Sequence, residues 1–92
     1  LSDPAADLAV AAALVSALSE KPLPSDVVLF GEIALSSEIR PVAHAPLRLR
    51  EAAKLGFNRA FIPASATDGV KGIAVSGFRT LAQLVDQMLG RG

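Results

Sequence analysis

Few side chains in this 92-residue sequence are equipped for chemistry. There is a single histidine, His44, and no cysteine. A lone histidine in the Pro- and Ala-rich stretch 41–46 reads as a surface residue rather than a general base. Without thiolates, and without H-x-x-x-H or C-x-x-C spacing, a zinc ion would have to rely on carboxylates, so no metal site is expected. Glu32 follows Gly31 and has no acid or base beside it in sequence. A bulge glycine with a half-exposed carboxylate is the simpler reading. Neither G-x-G-x-x-G nor G-x-x-x-x-G-K occurs, so this segment should bind no nucleotide by itself, and no cofactor is expected in it.

Charge is more informative. The formal net charge is zero, which removes the counterion-release argument for an autonomous nucleic-acid binder. Locally, however, Arg40, Arg48, Arg50, Lys54 and Arg59 face only one acid, Glu51. Arg50 and Lys54 lie four apart and share a helix face. These five are the candidate contacts to DNA phosphates, against the plainer alternatives of a solvated face or a subunit contact. Aromatic residues are 4% of the chain and all Phe, so base stacking has no platform. Phe30 and Phe61 sit in apolar runs and read as core.

The elements that must hold these residues follow from pattern. Asp3 and Pro4 signal a helix start, and the Ala- and Leu-rich run predicts a buried helix over 4–19, apolar on nearly all sides. Its uncharged core from Leu8 to Leu18 is about half the roughly 20 residues that span a bilayer, so no membrane segment is expected. Lys21-Pro22-Leu23-Pro24 forms a stiff connector. Val27–Phe30 predicts a strand buried on both faces and continuing through Gly31-Glu32-Ile33. Ser36-Ser37 turns the chain into a second strand, 38–42, in a hairpin with the first, with Pro41 at its end. Pro46 opens a helix that Gly56 caps. Strands at 60–63 and 72–76 flank a loop containing Asp68-Gly69. A last amphipathic helix runs 80–89, with Leu81, Leu84, Val85 and Met88 on one face. The order α-β-β-α-β-β-α predicts one layered α/β domain, of α+β character, over residues 1–92. Hydrophobic residues make up 51%, more than so small a domain needs alone, which favours an oligomer or part of a larger domain.

Three segments in order carry a family resemblance: Asp3-Pro4-Ala5-Ala6-Asp7-Leu8-Ala9; Gly31-Glu32-Ile33-x-Leu35-Ser36-x-Glu38-Ile39-Arg40-Pro41-Val42; and Arg48-Leu49-Arg50-Glu51-Ala52-Ala53-Lys54-Leu55-Gly56-Phe57 leading to Ala60-Phe61-Ile62-Pro63. Together they resemble the C-terminal region of the bacterial RadA (Sms) recombination and repair family. The resemblance implies a fold like the proteolytic domain of Lon protease and the second domain of ribosomal protein S5, with strands that normally precede Leu1 absent. It also implies a cytoplasmic parent protein. That parent would carry ATP, Mg and Zn sites outside these residues, form a hexamer, and act on DNA in branch migration.

Lon-type peptidases use a serine in G-P-S-A-G and a lysine in P-I-G-G-L-K. On this resemblance the serine position is Ala5 and the lysine position is Pro46. A serine–lysine dyad needs a hydroxyl and an amine to take its proton, and neither is present. Ser2 lies before the capping residue, and Lys54 is about 12 Å along the helix from Pro46. The expectation is a non-catalytic scaffold of an ATP-dependent DNA repair protein. The alternative is a Lon-type serine peptidase with a displaced dyad.

Overall fold

The computed structural model describes residues 3–66 and 69–91. Asp3 behaves as a cap: its carboxylate accepts the Ala5 amide at 3.0 Å. A 3-10 turn, Pro4–Ala6, leads into α1, Asp7–Ser19. The predicted helix over 4–19 is therefore in place, but its first turn is tighter than α. Glu20 ends α1 in the left-handed region at φ 58°, and the Lys21-Pro22 connector follows. Lys21 Nζ donates to the Leu89 carbonyl, tying this connector to the end of the last helix.

The first strand is shorter than the sequence suggests. β1 covers only Val27–Leu29. It pairs in parallel with β4, Arg59–Pro63, which pairs in parallel with β5, Ala74–Phe78. The residues expected to continue β1 belong to a second sheet. There, β2 (Glu32–Ile33) pairs antiparallel with β3 (Ile39–Arg40), Glu32 opposite Arg40. The hairpin exists, but it is built without Val27–Phe30.

Gly31 is the reason for the break. Its amide donates to the Ala5 carbonyl and its own carbonyl accepts the Leu8 amide, so it bonds to the start of α1 rather than to a strand. A Cβ there would sit 3.1 Å from Ile39 Cγ2 and 3.3 Å from Pro63 Cγ. The chain thus leaves one sheet at glycine and enters the other. Asp7 Oδ2 accepts the Ile33 amide at 3.1 Å and holds the hairpin against α1. Ser37 takes the left-handed turn position at φ 70°. β3 stops before Pro41, as expected for a residue that cannot donate to a ladder.

Helix α2, Ala45–Lys54, has Pro46 in its first turn. It ends at Leu55 with Gly56 at φ 98°. The Phe57 amide reaches the Ala52 carbonyl and the Gly56 amide reaches Ala53, the Schellman pattern that a C-terminal glycine allows. Ala64–Ala66 form a 3-10 turn inside the predicted loop; Asp68 lies outside the described residues. The strand predicted over 72–76 is shifted to β5. Gly72, at φ 94°, is still in the turn, and the ladder opens where the Ala74 amide meets the Asn58 carbonyl. It runs to Phe78 because that ring packs edge-on against Phe61, centroids 5.3 Å apart. Helix α3, Leu81–Met88, is capped by Thr80, whose hydroxyl accepts the Gln83 amide, while the Gln83 side chain accepts the Arg79 amide.

The three-stranded sheet, ordered β1-β4-β5, has a core on each face. Leu8, Ala12, Val27, Ile39, Phe61, Phe78 and Leu84 fill the side of α1 and α3. Phe30, Ala45, Leu49, Ala52, Ala60, Ile62 and Ile73 fill the side of α2. Alternation along β4 supplies both, Phe61 to one face and Ala60 and Ile62 to the other. Phe30 and Phe61 are core, as predicted. Helix α1 is not buried all round: only Leu8 and Ala12 are fully covered, while Val10, Leu14 and Leu18 are exposed. Its composition is apolar on every side, so pattern alone could not tell which face packs.

Candidate functional site

Among the described residues, the sequence's candidate chemistry converges around the start of α1. Ala5, at the position assigned to a nucleophile, is buried at 4% exposure. Its carbonyl is taken by Gly31, so the backbone here is fixed from both sides. Two openings meet at Ala5. A groove of about 580 Å³ runs between the first turn of α1, β1 and α2, with Ala5, Val28, Leu29, Phe30, Leu47 and Leu55 among its walls. Its polar rim is Asp3, His44, Arg48 and Glu51. A smaller cleft of about 290 Å³ lies on the hairpin side, between Ala5, Glu32 and the Pro41–Ala43 segment, and Arg48 borders it too.

Arg48 borders both openings, as do Asp3 and Ala5. Its Nε donates to the Ala43 carbonyl at 3.0 Å, which braces the turn before α2. His44 occupies that turn at φ 64°, a strained position for a histidine, and gives α2 no side-chain cap. It is exposed, in agreement with the sequence reading. Pro46 is also exposed, one residue into α2, where its missing N–H is harmless. Lys54 lies at the far end of α2 and pairs with Glu51 at 3.5 Å, so it does not come back to the Ala5 cleft as a base. Ser2 lies outside the described residues. Among the described residues, no group of three His, Cys, Asp or Glu side chains is arranged to hold a metal ion.

The five candidate cations do not form one patch. Arg59 makes a two-pronged pair with Asp26, at 2.8 and 3.1 Å, joining the starts of β1 and β4. This hydrogen bond holds the Asp26 carboxyl below its ordinary range and raises Arg59. Arg59 therefore closes a strand junction on the side of the Lys21–Pro24 connector, where Phe61 and Met88 also lie. Sequence reasoning missed Asp26 because its partner is 33 residues away. Lys54 is occupied by Glu51, and Arg48 is turned onto Ala43. Arg40 and Arg50 are exposed and have no ion-pair partner among the described residues.

Residues 2–66 match the family model described as subunit ChlI of Mg-chelatase. The chain belongs to that family. The matched span contains the Ala5 cleft, the hairpin and α2, and no phosphate-loop sequence. The chain is also 59% identical over 63 residues to the DNA repair protein RadA of Brucella abortus, a match covering 68% of this chain. It is 49% identical over 75 residues to RadA of Aquifex aeolicus, covering 82% of this chain, and 45% identical over 84 residues to RadA of Salmonella typhimurium, covering 89%. These matches bear out the resemblance to the RadA family drawn from the three segments. They cover 14%, 17% and 18% of the three relatives, so the chain spans about a sixth of their length. No helix among the described residues is long and apolar enough to cross a membrane.

Proposed function

We propose that this chain is the C-terminal part of a Lon-protease-like domain, kept as a non-catalytic scaffold in a RadA-type DNA repair and recombination ATPase. The observation that carries the reading is the methyl of Ala5. It sits buried at the meeting of two clefts, where the family resemblance asks for a nucleophile. A methyl has no lone pair to attack a carbonyl, and the pyrrolidine of Pro46 has no amine to accept a proton. The surrounding backbone nevertheless remains tightly hydrogen-bonded. A fold held together while both reactive groups are absent fits a role in assembly rather than hydrolysis.

The open wall of the groove supports the domain assignment. Among the described residues β1 pairs only with β4, and its outer edge faces the apolar groove. Earlier strands of a Lon-like domain would extend the sheet there, between α1 and α2. The parent protein on this reading is a cytoplasmic homo-oligomer of six subunits that holds ATP, Mg and Zn in other domains and meets DNA. Arg40 and Arg50 are the cations best placed for backbone phosphates, since the other three are engaged within the fold.

The test is removal of this region from a full-length RadA-type protein, followed by light scattering and a branch-migration assay. The expected result is a broken assembly and activity reduced at least tenfold. Unchanged stoichiometry and activity would overturn the scaffold role.

A further inference from the structure

We draw no further inference here: the strongest candidate, the apolar groove between the first turn of α1, the outer edge of β1 and α2, belongs to the site already described, and nothing in the structure shows what covers it.

Discussion

The two faces of the three-stranded sheet are finished differently. On one, α1, α3 and the β2–β3 hairpin close over Leu8, Phe61, Phe78 and Leu84. On the other, α2 is the one helix among the described residues, its Leu49 packing over Ala60 and Ile62 with help from Val42, Phe57 and Val70, and the side toward β1 stays open as the groove beside Ala5. The groove beside Ala5 is thus an open wall of the second core. The first core supplies the frame that keeps the wall in place, through Gly31 and Asp7.

The largest expected effects break this contrast directly. Leu84 and Leu49 are both fully buried. Leu84→Ala should cost about 3–5 kcal/mol, because the closed core cannot collapse around the vacancy. Leu49→Ala should cost less, about 2–3 kcal/mol, since neighbours along the groove can relax into the space. Urea denaturation of both variants checks the order, and equal or reversed costs would mean that the two faces are equally rigid. Gly31→Ala comes next, at about 1–3 kcal/mol, because a methyl would press on Ile39, Pro63 and Leu8 where the two sheets part.

Helix entries sharpen the comparison on a smaller scale. Thr80 caps α3 with its hydroxyl, whereas His44 precedes α2 in a left-handed conformation without capping it. Thr80→Ala should lower stability by about 1 kcal/mol. His44→Gly should leave it unchanged or raise it by a few tenths to about 1 kcal/mol, as strain is relieved at some entropic cost. In thermal melts the midpoint of Thr80→Ala should fall while that of His44→Gly holds or rises.

The smallest effect concerns Asp26. Arg59 hydrogen bonding lowers its carboxyl from the ordinary value of 3.8. The pair therefore contributes fully above that ordinary value, and the contribution is lost as pH falls through the lowered folded-state value. Asp26→Asn should flatten the acid limb of the stability–pH curve, with only a slight loss at neutral pH. Parallel curves for the two proteins would show that the pair carries no such linkage.

Much of this was legible in the sequence because it rests on local signals. Asp3-Pro4 starts a helix, Gly56 ends one, and the α3 face of Leu81, Leu84, Val85 and Met88 follows from spacing. What was not legible depends on distant partners. Gly31 ends β1 because Ala5 and Leu8 capture its backbone, and nothing in residues 27–33 announces that. Likewise Asp26 removes Arg59 from the basic segment across 33 positions. The exposed face of α1 was hidden by composition, since Ala and Leu look the same on a packed face and an open one. For the site, motif correspondence alone assigns roles to Ala5 and Pro46, and the structure adds where they lie, Ala5 buried and Pro46 exposed. The groove that joins Ala5 to Arg48 and Leu55 needed the fold.

The central claim is that no acyl transfer occurs at Ala5. Intact-mass spectrometry of the folded chain after incubation with a fluorophosphonate, alongside a peptide-hydrolysis assay, tests it most directly. The account predicts an unmodified mass and hydrolysis indistinguishable from buffer. A phosphonylated serine anywhere in the chain, accompanied by peptide cleavage that the same reagent abolishes, would contradict it.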